Sequence, residues 1–153
     1  MHSRIYQITR NPVDEDVRLC SNDIPEWFYT SIADYVDDEC NRDGDIEWLS
    51  RSLKDVASIN GDKITFASDI SAYFEKKYEA FIKAANELAA TPFENFASYK
   101  DSAIIRELNS AYSDEYGFYV YDDDEYLDTI ENFMRGVNGG ETYYVGGIVD
   151  YHF

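Results

Sequence analysis

The chain has 153 residues, with 31 Asp/Glu against 13 Lys/Arg, a net charge of −18 at pH 7 and 16% aromatic residues. That length allows one domain with a real core, and the aromatic content excludes a disordered acidic tail. The surplus of acids excludes direct binding to nucleic acid or to an anionic membrane, since both recruit Lys and Arg.

In chain order, SRIYQIT over 3–9 alternates as a strand, with Ile5 and Gln7 on one face and Tyr6 and Ile8 on the other. Asn11-Pro12 ends it, and an acidic linker runs to about Asn22. The spacing of Phe28, Ile32, Tyr35 and Val36 predicts a helix over 24–39, with Asp23 as N-cap and Pro25 in the first turn. On that helix Asp34, Asp37 and Asp38 would form a carboxylate cluster. Arg42-Asp43-Gly44-Asp45 makes a turn, and a second helix runs to about Ala57 with Ile46, Leu49, Leu53 and Val56 inward. Residues 58–67 read as a hairpin turning at Asn60-Gly61.

The longest helix begins near Asp69, with Ile70, Phe74, Tyr78, Phe81, Ala85 and Leu88 on one face. Thr91-Pro92-Phe93-Glu94 has the pattern of a capping box and starts a short helix. Another covers 102–112, with Ile104, Ile105, Leu108 and Tyr112 inward. GFYVY over 117–121 is a strand by its aromatic and β-branched content. Residues 122–135 are expected as a helix with an acid-rich first turn, and Asp124, Asp128 and Glu131 as a stripe along it. Gly136 and Asn138-Gly139-Gly140 stop it, and 142–153 form one bent strand or a tight hairpin about Gly146-Gly147.

The fold class that follows is α+β: a single domain over 1–153 with about six helices on a small, mostly antiparallel sheet, its first and last strands adjacent. The expected core is Phe28, Ile32, Leu49, Leu53, Phe74, Phe81, Ile105, Leu108, Ile130 and Phe133. The opening MHSRIYQITRNPVDED lacks the apolar run of a signal peptide, and no stretch approaches the ~18 apolar residues of a membrane span. Cys20 and Cys40 form no CxxC pair and read as unpaired thiols. Cytoplasmic location is the expectation.

The charge excess is segregated. Residues 11–47 hold 12 acids and two bases, residues 114–131 hold eight acids and no base, and the remainder is balanced at 11 of each. Solubility alone would be served by scattered acids. Two blocks point to a surface that meets a basic protein, felt over a Debye length of roughly 8–10 Å. The candidate partner-binding residues are Asp34, Asp37, Asp38, Asp43, Asp45 and Glu47 in the first block. In the second they are Asp122, Asp123, Asp124, Glu125, Asp128 and Glu131.

Residues 39–50 (ECNRDGDIEWLS) resemble an EF-hand calcium loop, with oxygen ligands at positions 1, 3 and 5 and Gly44 at position 6. The first ligand is Glu rather than Asp, and Ser50 stands where a bidentate Glu closes such sites. A helix–turn–helix with Asp43 or Asp45 as N-cap, and no tight calcium site, is the expectation. The run Asp122-Asp123-Asp124-Glu125 reads as dipole-complementing caps rather than a magnesium or manganese cluster. His2 and His152 lie near the chain ends, and no nucleophile, phosphate-loop or zinc pattern occurs. A weak metal-binding or carboxylate-based enzyme is the remote alternative; the expectation is no enzyme and no cofactor.

In length, acidity and aromatic content the chain resembles the DNA-mimic antirestriction and anti-CRISPR proteins of phages and mobile elements. The likeness is compositional, spans the whole chain and carries no motif, so no site residue transfers. It implies a stoichiometric inhibitor occupying the basic nucleic-acid channel of a host protein. The rival reading is a small acidic protein-interaction domain whose charge serves solubility only.

Overall fold

The strand expected at 3–9 forms as β1 (His2–Thr9), and Ile5, Tyr6 and Ile8 are each at most 1% exposed, so both of its faces are covered. A strand buried on two faces belongs at the centre of a sheet. A computed structural model, which describes residues 1–153, places it there. β1 pairs antiparallel with β7 (Thr142–His152), His2 opposite His152, and parallel with β5 (Tyr119–Tyr121), Ile5 opposite Tyr119. The seven-stranded order is β3 (Ala57–Asn60), β4 (Lys63–Phe66), β7, β1, β5 and β6 (Leu127–Thr129), with β2 (Tyr35–Asp37) also on β7. Six α-helices accompany this mixed, mostly antiparallel sheet, so the class is α+β.

Residues 142–152 form one bent strand. The β1–β7 register slips between Tyr6 and Ile8, which face Ile148 and Val145, so β7 carries an extra residue at Gly146-Gly147. Gln7 Oε1 accepts from Gly147 N at 2.8 Å and from Leu19 N at 2.9 Å, tying the bulge to the segment that crosses it. Along the opposite edge of β7, between β4 and β2, side chains take the ladder's place. Arg42 donates to the carbonyls of Val145 and Gly146, and the Cys40 thiol donates to that of Ile148 at 3.3 Å.

The chain divides into two compact units, Met1–Ile70 with Tyr116–Phe153, and Ser71–Glu115. The first holds the sheet. One face is covered by α1 (Glu26–Ser31) and its flanks, where Ile5, Leu19, Ile24, Phe28, Tyr119, Val149 and Tyr151 form a buried cluster. Over the other lies α2 (Arg42–Ser52), with Leu49 buried and the Asp45 carbonyl accepting from the Tyr6 hydroxyl at 2.9 Å. Ile130 and Met134 of α6 (Ile130–Arg135) are buried as well. The second unit contains α3 (Ser71–Ala89), α4 (Phe93–Ala97) and α5 (Ser102–Tyr112), the last with the expected bounds. Lys77 Nζ of α3 donates to the Ser110 carbonyl of α5 at 3.1 Å.

Several expectations are corrected. The helix over 24–39 stops at Ser31: the Phe28 carbonyl accepts from both Ile32 N (2.9 Å) and Ala33 N (3.0 Å), which unwinds the turn. Asp34 N then bonds the His152 carbonyl at 2.8 Å and the chain continues as β2, so Asp34, Asp37 and Asp38 lie on no helix. Asp23 caps the preceding turn instead, its Oδ2 accepting from Cys20 N at 2.9 Å. The helix over 122–135 is replaced by a β5–β6 hairpin followed by the short α6, capped by Thr129. At 57–66 the hairpin forms one residue out of register, since Asn60 pairs with Lys63 and Gly61-Asp62 make the turn. Gly61 has φ +58°, the first-position conformation of a type II′ turn. No capping box forms at Thr91, whose hydroxyl donates back to the Glu87 carbonyl. Helix α2 begins at Arg42 with Asn41 as N-cap, so neither Asp43 nor Asp45 caps it, and most of the calcium-loop-like stretch is helix. Of the expected core, Phe28, Leu49, Leu53 and Ile130 are buried. Ile32, Phe74, Phe81, Leu108 and Phe133 are only partly so, and Ile105 is 40% exposed.

Candidate acidic interface

Parallel pairing of β1 with β5 makes both strands end at the same side of the sheet. The segments that follow the two strands therefore emerge together, and each carries an acidic run: Asp14-Glu15-Asp16, beyond Arg10-Asn11-Pro12-Val13, after β1, and 122–125 directly after β5. Asp122 organises the second group. Its Oδ1 accepts from Asp124 N at 2.9 Å and Tyr126 N at 3.0 Å, a local bond of the kind that competes with helix formation. Asp123 Oδ2 accepts from Arg10 N at 2.9 Å, which fastens the turn to the end of β1.

The outcome is an acidic depression of about 400 Å³, in which Asp14 and Asp23 of the first block meet Asp122, Asp123 and Glu125 of the second around Tyr121. The Tyr121 phenol registers this: partial burial pushes its pKa up, and the charges of Glu125, Asp23 and Asp122 push it further. On the other side of the same turn, a cleft of about 310 Å³ runs between Asp122, Asp124, Asp128, Phe133 and Tyr143, with Arg10 at its rim. A hydrogen bond to Tyr143, reinforced by that phenol and by Glu141, raises the Arg10 pKa.

Glu125 sits at φ +59°, a left-handed conformation disfavoured for a residue with a Cβ. Glu125→Gly should raise the thermal stability of the first unit by up to about 1 kcal/mol, less the entropy glycine adds to the unfolded chain. Calorimetry against wild type checks this; a clear loss of stability would show that the Glu125 side chain holds the turn.

The expected surface joining Asp34, Asp37 and Asp38 to Asp124, Asp128 and Glu131 is not formed. Asp34 and Asp37 flank or lie on β2, level with the start of β1, while Asp124 is in the turn beyond its far end. Asp34 Oδ2 meets His152 Nδ1 at 3.2 Å, and Asp37 Oδ1 accepts from Glu39 N. Asp38 binds Ser21 through both carboxylate oxygens, at 2.6 Å and 2.9 Å, so it braces the crossing segment. Asp43 and Glu47 are exposed on α2. Asp45 is 5% exposed and paired with Arg4 at 2.8 Å, and Glu131 is 4% exposed; neither can meet a partner as a surface charge. Asp128 Oδ1 is spent on Thr129 N and Asn132 Nδ2. Asp122, Asp123, Asp124 and Glu125 lie in the turn of the β5–β6 hairpin rather than in the first turn of a helix, and line the two depressions on either side of it.

Sequence reasoning missed Asp14, Asp23 and Tyr121 as site residues. The available signal was that an acidic run comes soon after each of two strands, at Asp14 beyond β1 and at Asp122 directly after β5; the parallel pairing that brings them together had none. No protein-family model, curated protein or solved structure matches the chain. No helix is long and apolar enough to cross a membrane.

Proposed function

We propose that the chain is a non-enzymatic binding protein whose acidic end, at the ends of β1 and β5, occupies the basic nucleic-acid-binding surface of a protein partner. The mode is that of the DNA-mimic inhibitors it resembles in composition. The observation that carries the reading is the meeting of Asp14 and Asp23 with Asp122, Asp123 and Glu125 in one depression. The unit presenting it holds 23 acids against eight bases, a net of −15, whereas the helical unit has a net of only −3. The four consecutive acids at 122–125 sit on one tight turn, closed by Glu125 N donating to the Asp122 carbonyl at 3.1 Å, which concentrates their charge at this end of the sheet.

The test is retention of host-lysate proteins on the immobilised chain, followed by elution with a salt gradient and, separately, with duplex oligonucleotide. Nucleic-acid-binding proteins should be retained at ~0.05 M salt, leave steeply by ~0.3 M, and be displaced by the oligonucleotide. Retained proteins that nucleic acid does not displace would refute the mimic reading.

A further inference from the structure

Across Ser71–Glu115 only Ala84 and Asp101 are buried, a small core for three helices. The large apolar side chains face water instead: Tyr78 and Ile82 on α3, Phe93 and Phe96 on α4, and Ile105 and Tyr112 on α5 are all exposed. Every hydrogen bond of α4 is made within residues 92–100, so none ties it to the other two helices. Between α3 and α5, besides the Lys77 bond to Ser110, Phe81 meets Tyr112 at 6.2 Å between ring centroids. The one buried polar side chain works against the packing. Asp101 is 4% exposed, makes no ion pair, and its Oδ2 has no hydrogen-bond partner. It directly precedes α5 yet accepts no capping hydrogen bond, and its backbone (φ −90°, ψ −3°) is helical rather than extended as at a cap. Two residues earlier Tyr99 is held at φ +58°, a strained conformation for a residue with a Cβ.

We propose that Ser71–Glu115 is a conformational device: it opens and recloses as one unit while the sheet-bearing unit stays folded, and the uncompensated charge of Asp101 sets how often. Regions with few buried apolar groups open far more often than a well-packed core, and they do so as contiguous units. Opening here exposes little apolar surface that is not in water already, so hydrophobic burial resists it weakly. In the sheet-bearing unit, by contrast, Ile5, Tyr6, Phe28, Leu49, Val149 and Tyr151 are all fully buried. Local propensity does not make up the difference. Helices α4 and α5, five and 11 residues long, are shorter than the ~12–15 residues an isolated helix needs to persist in water. Asp101 tips the balance further. Its carboxylate is desolvated in the closed unit with neither a counter-charge nor a full set of donors, and it regains water when the unit opens.

Native-state hydrogen exchange of the full chain, read residue by residue by NMR, tests this. Amides of α3 and α5, Ala84 and Leu108 among them, should exchange through one shared opening. That opening should be at least about 100-fold more populated than the one that releases Ile5 of β1 and Val149 of β7. Asp101→Asn removes the charge and keeps the shape. It should cut the open population of the helical unit by about tenfold and leave Ile5 and Val149 unchanged. Glu107→Gln, which neutralises an exposed acid on the same helix, should move neither. Helix amides protected to within about tenfold of those in β1 would overturn the proposal. So would an Asp101→Asn variant whose helices open as often as wild type or more often, or equal effects of the two substitutions. The measurement needs no partner, so its outcome is separate from that of the acidic interface.

Discussion

Arg4→Met should destabilise the sheet-bearing unit by about 3–5 kcal/mol, the cost of leaving buried carboxylates without their counter-charge. Arg4 sits under α2 with its side chain 17% exposed, and it is the hub of a buried ionic cluster. Its Nε donates to Asp45 Oδ1 at 2.8 Å, its Nη1 to Asp150 and to the Ser3 carbonyl, and its guanidinium lies 5.5 Å from the Trp48 ring centroid. Asp45 and Asp150 side chains are 7% and 10% exposed, and Asp45 Oδ2 has no hydrogen-bond partner, so it depends on Arg4 for compensation. His2 reaches Asp150 Oδ2 at 2.8 Å but is itself 55% exposed and stands in poorly for a guanidinium. Adding Asp45→Asn and Asp150→Asn to Arg4→Met should recover much of the loss, because the uncompensated charge is then gone. Urea unfolding of the single and triple variants measures both effects. Equal destabilisation of the two would mean that Arg4 acts through packing on Trp48 rather than through charge.

Gly147→Ala should cost roughly 2–4 kcal/mol and lower the melting temperature by about 5–15 °C. A Cβ there would lie 2.5 Å from the Leu19 nitrogen and closer still to its carbonyl oxygen. Those are backbone atoms, and the segment carrying them cannot yield without breaking the Gln7 bonds to Leu19 and Gly147. Lifting it would also strip Leu19 and Ile24 from the buried cluster they share with Phe28 and Tyr151. The same movement displaces Asp14 and Asp23, so partner binding should fall with stability. Differential scanning calorimetry checks the first effect. A melting temperature within about 2 °C of wild type would show that the crossing segment is not held against the bulge.

What the sequence revealed was what short-range periodicity encodes. SRIYQIT, the bounds of α5 and the continuous β7 are each set by alternation or a helical repeat within their own residues, and the 57–66 hairpin was legible too, though its turn falls at Gly61-Asp62 rather than Asn60-Gly61. Residues 35–37 went the other way: Phe28, Ile32, Tyr35 and Val36 fit a helical repeat, but β7 has backbone groups to satisfy at 150–152 and captures them as a strand. The 122–129 stretch failed for a related reason, since Asp122 turns the chain locally and β5 supplies a partner for Leu127–Thr129. Burial of acids was illegible too. Asp45 and Glu131 look like any other carboxylates in an acidic block, and only tertiary packing hides them. The acidic interface was thus half readable: its charge lay in plain view, its geometry in a parallel strand pair 114 residues apart in sequence, Ile5 against Tyr119.

On the proposed function, these acids act through their convergence and not through bulk charge. Two variants, each removing four charges, test it in one competition assay against labelled duplex DNA bound to a partner protein. The first, Asp14→Asn, Asp123→Asn, Asp124→Asn, Glu125→Gln, neutralises the converged end while keeping the acceptor that Arg10 N uses. The second, Asp34→Asn, Asp37→Asn, Asp43→Asn, Glu47→Gln, neutralises exposed acids elsewhere on the same unit. The first should lose at least about tenfold in displacement of DNA, and the second no more than about threefold. Equal losses, or none from the first, would contradict the account.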